Sequence, residues 1–156
     1  EEGNGFKIAL STLDGGRIGI ATQALGIAKE SLDRSVSYAN EREQFGKKIG
    51  KLGAIKSKIS KMAINIDAAR LLIYRAAKMK DLGLSLKKEA AMAKSFASKI
   101  AMEAATECVQ IFGGYGYVRE TGVERLIRDA KITQIYEGTS EIQELVIARE
   151  ILGGNI

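Results

Sequence analysis

Proline and histidine are both absent from this chain of 156 residues. Average usage would place about eight prolines in it, so a total lack of both is unusual for a natural domain. Without proline, nothing in the sequence forces a kink or a stop within a helix. Without histidine, no imidazole is available as a base or ligand, and no metal site is expected. The single cysteine, Cys108, excludes an internal disulfide. It falls at a core-facing helical position, which fits a buried thiol in a reducing compartment. No apolar run approaches the roughly 18 residues of a membrane span. The polar opening EEGNGF lacks the character of a signal peptide. The net charge of +5 hints at nucleic acid, but the cations are scattered among nineteen acids. Only Lys56, Lys58 and Lys61 cluster, so solvated faces are expected and not a nucleic-acid interface.

What the chain does have is helical periodicity over an apolar content of 46%, in one domain large enough for a real core. Ile55, Ile59, Met62, Ile66, Ala69, Ile73 and Ala76 step alternately by four and three, the stripe of a bundle helix that Gly83 can end. A second stripe runs Ala90, Ala93, Ala97, Ile100, Ala104, Cys108 and Ile111, up to Gly113-Gly114. The first helix carries Ile18, Ala21, Leu25, Ala28, Leu32, Val36 and Ala39. A fourth, starting near Ser140, carries Ile142, Leu145, Val146, the Arg149 stem and Leu152, and residues 123–131 form a short connecting helix. No segment alternates with period two. The expected fold is all-α, an antiparallel up-and-down four-helix bundle with short loops. Leu25, Ile59, Ile66, Ile73, Ala97 and Ile100 are expected in its core.

The segment richest in chemistry is IYEGTSEIQ, residues 135–143. It sets one carboxylate, Glu137, on a Gly-Thr-Ser turn before an amphipathic helix. Gly138 lets the backbone bend close to a ligand. Ser140 with Gln143 three residues on has the form of a capping box, and the free N–H groups of the helix start can hold an anion. An acid between a tyrosine and such a turn suggests a proton-abstracting base beside a phosphate-bearing ligand. The competing reading is a polar helix cap with an incidental glutamate.

Four motifs, in order and without large gaps, resemble the acyl-CoA dehydrogenase family. LDGGRIGIATQALGIA resembles the start of its C-terminal helical domain, and YANEREQFGKKIG its Arg-x-x-Phe-Gly segment. QIFGGYGY is similar to its Gly-Gly flavin segment, and VERLIRDAKITQIYEGTSEIQ to its closing signature. Short-chain, butyryl-type members are the nearest in wording. The resemblance implies that Glu137 removes the α-proton of an acyl thioester while FAD accepts the β-hydride. Some relatives carry the base just before the arginine of the Leu-Asp-x-x-Arg segment; that position is Gly16 here, which leaves Glu137.

By the same resemblance Asp14, Gly15, Gly16 and Arg17, with Tyr136 and Gly138, contact the acyl-CoA substrate. Two glycines within a helical stripe otherwise imply a close helix crossing. Arg42 and Phe45 belong to the flavin nucleotide segment, where a guanidinium fork suits pyrophosphate. Gln110, Ile111, Phe112, Gly113 and Gly114 match the flavin-contacting run that a neighbouring subunit supplies, and Thr139, Ser140 and Glu141 match the contacts after the base. An electron-transfer protein as partner, a homo-oligomer built as a dimer of dimers, and a place in the bacterial cytoplasm or mitochondrial matrix are also implied.

The chain departs from the family pattern at Lys48 for proline, Gly53 for a flavin-contacting glutamine, Ser57 for phenylalanine, and Thr121-Gly122 for Tyr-Pro. The N-terminal helical and middle β domains are expected to be missing, with EEGNGF the joint after the latter, and Glu137 is therefore expected to lie in water. Two readings stay open: a domain of a short-chain acyl-CoA dehydrogenase, inactive when isolated, and a stand-alone or edited bundle that catalyses nothing.

Overall fold

A computed structural model describes residues 3–153, so the first two residues of the EEGNGF segment lie outside the described residues. Helix α1 spans Gly5–Glu41, α2 Gly53–Asp81, α3 Lys87–Phe112 and α6 Ser140–Leu152; two shorter helices, α4 (Gly114–Tyr117) and α5 (Arg125–Thr133), connect the last two. The all-α bundle expected from the stripes is the fold. Among the described residues no helix is long and apolar enough to cross a membrane.

Helices α1 and α3 form the most extensive pair, and α2 packs against both. The seam between α1 and α3 is made of small side chains: Ala21, Ala24 and Ala28 against Ala97, Ala101, Ala104 and Ala105. Alanines let the helix axes approach closely, while Met62, Ile66 and Ile73 of α2 fill the wider remaining space. Ile66, Ile73, Ala97 and Ile100 are buried as expected; Leu25 and Ile59 are half-buried and lean on the core. Cys108 is buried and free, and burial raises its thiol above the ordinary range, opposed by a hydrogen bond to Ser35. Gly83 ends α2 through bonds from its N–H to the Lys80 carbonyl and from the Leu84 N–H to that of Met79.

Three expectations need correction. Val36 is exposed, and the inward positions of α1 belong to Ser31 and Ser35. Their hydroxyls donate to the carbonyls of Ile27 and Ser31 at 2.8 and 2.7 Å, so each serine packs as a small, satisfied group. On α6 the expected apolar stripe faces outward, with Leu145 63% and Leu152 65% exposed, and the one buried residue is Gln143. Helix α6 packs on α3, with Val146 and Ile147 half-buried and the leucines turned outward.

The third correction is a hairpin. Strands β1 (Glu43–Gln44) and β2 (Lys47–Lys48) pair antiparallel, Glu43 opposite Lys48 and Gln44 opposite Lys47. Phe45 and Gly46 form its turn at φ 54° and 71°, the left-handed pair of a type I′ turn. Two-residue strands are too short for an alternating pattern to be visible. Lys48 braces the hairpin, donating to the Glu41 carbonyl at 2.9 Å and pairing with Glu43 at 2.9 Å.

Candidate active site

Between α5 and α6 the chain makes a tight loop, closed by the Ser140 N–H donating to the Gln134 carbonyl at 3.1 Å. Inside it Glu137 and Gly138 are both left-handed, at φ 56° and 93°. For a glutamate that conformation costs on the order of 1 kcal/mol, so other contacts must hold it. They come from two fully buried polar side chains. Gln143 of α6 donates from Nε2 to the carbonyls of Glu137 (3.3 Å) and Gly138 (3.0 Å). Lys94 of α3 donates from Nζ to the same Gly138 carbonyl at 2.6 Å. A side chain at Gly138 would drive its Cβ to 2.5 Å from Gln143 Nε2.

The turn aims the Glu137 carboxylate at α1. A Cβ at Gly16 would lie 2.5 Å from Glu137 Oε2, so the carboxylate fills the notch that this glycine leaves. Oε2 is buried and has no hydrogen-bond partner. The expectation that Glu137 lies in water holds only in part: the residue is half-buried, and the bundle itself shields Oε2. The reading of Gly15 and Gly16 as a pair facing one ligand is also modified, because a Cβ at Gly15 would lie 3.0 Å from the Lys80 ammonium. Next along α1, Arg17 is buried and its Nη1 donates to Asp14 at 2.9 Å, while its Nε has no partner. The Tyr136 hydroxyl donates to Gln23 at 2.6 Å and fixes the near side of the loop.

The capping box does not form. Thr139 is the N-cap of α6, its carbonyl accepting from the Gln143 N–H at 3.0 Å, and the Gln143 side chain is drawn inward to the Glu137–Gly138 carbonyls. Glu141 takes the capping role: its own backbone N–H, then the Thr139 hydroxyl, hold its carboxyl below the usual range. Lys94 has its pKa lowered from 10.5 to about 8, first by burial and then by Arg17, against the pull of Glu141 and Glu137.

A second set gathers at the other end of α1. Tyr38, Arg42, Ile111, Phe112, Gly113, Gly114 and Tyr115 line a cleft of about 590 Å³. The Tyr38 and Phe112 rings stack 4.0 Å apart at 14°, and the Arg42 guanidinium lies 5.6 Å over the Tyr115 ring. Gln110 is exposed, and Phe45, at the hairpin tip, is 86% exposed. At 1.5 Å per residue, the 18 positions of α3 from Lys94 to Phe112 put this cleft roughly 27 Å from the Glu137 turn. The structure thus brings Arg42 together with Phe112–Gly114, and Glu137 together with Gly16, but leaves the two sets at opposite ends of one copy. Gly53 opens α2 with no atom within 4 Å of its Cβ position.

Lys94, Gln143 and Gln23 were not legible as site residues in the sequence. The available signal at Lys94 was a lone charge among alanines in AAMAKSFA. Among the described residues no group of three acids or thiols is arranged to hold a metal.

The sequence profile of the family "Acyl-CoA dehydrogenase, C-terminal domain" matches residues 3–152. The chain belongs to this family. An acyl-CoA dehydrogenase of Bacillus subtilis is 54% identical over 154 residues, 99% of this chain and 41% of its own length. The butyryl-CoA dehydrogenase of Megasphaera elsdenii superposes with a TM-score of 0.96 at 55% identity, over 97% of this chain and 40% of that one. A chain from a structure described as the electron-transferring flavoprotein of Acidaminococcus fermentans gives 0.97 at 54%, over 98% and 40%. This acyl-CoA dehydrogenase domain spans about two-fifths of the length of the relatives it matches.

Proposed function

We propose that the chain is the C-terminal domain of a short-chain acyl-CoA dehydrogenase and that Glu137 is the base that removes the substrate α-proton. The observation that carries this is the Glu137 carboxylate: strained backbone, one oxygen buried without a partner, and a glycine opposite it. A carboxylate oxygen with an unfilled acceptor site is free to take a proton. Strained residues held by their surroundings cluster at working sites. Gly16 faces this carboxylate, and Asp14, Gly15, Gly16 and Arg17, with Tyr136 and Gly138, would position an acyl thioester against it.

The residues at both ends of the bundle fit a flavin dinucleotide. Arg42, Phe45, Gln110, Ile111, Phe112, Gly113 and Gly114 would hold one part of FAD in the cleft over Tyr115, a guanidinium and side-chain-free backbone facing its phosphates. Thr139, Ser140 and Glu141 would hold another part beside the base. When bound, FAD supplies the acceptor for the β-hydride, and an electron-transferring flavoprotein would take the electrons onward. Because the two sets lie roughly 27 Å apart along α3, each cofactor would be shared between two copies. The outward leucines of α6 offer a surface for that assembly. By itself the 156-residue chain would bind the flavin weakly and turn over nothing.

The test grafts this chain in place of the matching domain of the Megasphaera elsdenii enzyme, to which it is 55% identical. The chimera is expected to dehydrogenate butyryl-CoA. Glu137→Gln should lower kcat by at least about a thousandfold with flavin still bound, because the amide cannot accept the proton. Turnover within tenfold of the parent chimera would place the base elsewhere.

A further inference from the structure

Lys94 is the feature that the fold least needs. Its side chain is fully buried in α3, and among the described residues it forms no ion pair within 4.0 Å. Its one bond is to the Gly138 carbonyl, which already accepts from Gln143 Nε2 at 3.0 Å. Satisfying that carbonyl therefore does not require a lysine. A hydrophobic side chain of similar volume in place of a buried charge is commonly neutral or stabilising, so the ammonium calls for another role. The charged groups facing it are Arg17 from α1, Glu137 from the loop and Glu141 from α6. Arg17 acts on it the most strongly of the three, while its hydrogen-bonded anchor, Gly138, is the residue bonded to Glu137.

We infer that Lys94 is a positioning residue for Glu137: its buried ammonium fastens the left-handed turn through the Gly138 carbonyl and places positive charge behind the carboxylate. The functional weight of this inference rests on Glu137 being the base; its physical content does not. A fixed cation behind the turn favours the ionised carboxylate, the form able to accept a proton. It does so without a direct ion pair, which leaves Oε2 free on the side that faces Gly16. Gln143 alone would satisfy the turn but would not charge it.

The test uses the 156-residue chain, with Lys94→Met removing donor and charge and Lys94→Gln keeping a donor while removing the charge. The titration of the Glu137 side-chain carboxyl is followed by carbon-detected NMR, and amide exchange is followed at residues 136–140. Both variants should titrate Glu137 at higher pH by about one unit, tenfold in proton affinity. Lys94→Met should also speed exchange in the turn several-fold. A Lys94→Gln protein that titrates like the parent would overturn the inference, since the charge would then have no part. Unchanged turn exchange in Lys94→Met would overturn it equally. If Lys94→Met does not fold, the Gln variant alone decides through its titration. An inactive chimera alongside these shifts would sink the proposed reaction and leave the role of Lys94 standing.

Discussion

A lysine that releases its proton at about 8 when folded, against 10.5 in an ordinary setting, links stability to pH with a definite sign. The unfolded chain holds that proton more tightly than the folded one. Between about 8 and 10.5 the unfolded state therefore binds more protons, and stability rises with pH. Below that window the buried charge costs on the order of 3 kcal/mol, and the cost fades as pH climbs through it. Urea unfolding of the parent and of Lys94→Met separates this contribution from other titrations. The variant should be the more stable of the two at pH 7, and most of the gap should close by pH 10. A gap that is constant with pH would show that Lys94 stays charged throughout. Gly16 gives the complementary experiment. Alanine there would gain up to about 1 kcal/mol of helix propensity, while its Cβ would displace the Glu137 carboxylate from 2.5 Å away. Gly16→Ala should thus leave the melting temperature within a few degrees yet lower chimera turnover at least about a hundredfold. Equal loss of stability and activity would mean that the notch serves packing only.

At the level of elements, legibility follows the kind of side chain that faces inward. The stripes of α2 and α3 could be read because alanines, isoleucines and a methionine repeat by three and four and are buried where they repeat. On α1 the same pattern holds except at Val36, where Ser31 and Ser35 take the inward positions because they bond back along their own helix and bury as readily as alanine. Helix α6 misled more thoroughly: its regular apolar face is exposed, and its inward residue is a glutamine serving a turn. Periodicity identifies an apolar face; it does not say whether this chain or another covers it. The motif of Ser140 and Gln143 located the start of α6 to the residue, but for the wrong reason, since Thr139 and Glu141 make the cap. The motifs around Glu137 and Arg42 were visible as strings. That Gly16 receives the Glu137 carboxylate, and that Lys94 supports its turn, depends on contacts across more than forty positions of sequence, which no local pattern carries.

For the whole molecule, the arrangement of the two clusters has a consequence for affinity. Binding contacts must first offset the loss of translational and rotational freedom, several kcal/mol or more, before any affinity appears. On the proposed reading one copy would present only half of the flavin contacts at any one place, because the Arg42 cleft and the Glu137 turn lie roughly 27 Å apart along α3. Arg42, half-buried at the surface, would contribute on the order of 1 kcal/mol. Ile142, Leu145 and Leu152 meanwhile stand on one exposed side of α6, stepping by three and seven residues, and a contiguous apolar face of this kind favours association. Sedimentation of the isolated chain should show concentration-dependent self-association that Leu145→Lys with Leu152→Lys abolishes. Calorimetric titration with FAD should give a Kd weaker than about 10 μM for the parent, and weaker still for the double variant if two copies share the cofactor. The linked loss is the decisive part. A submicromolar Kd in a strictly monomeric double variant would show that one copy holds the flavin unaided.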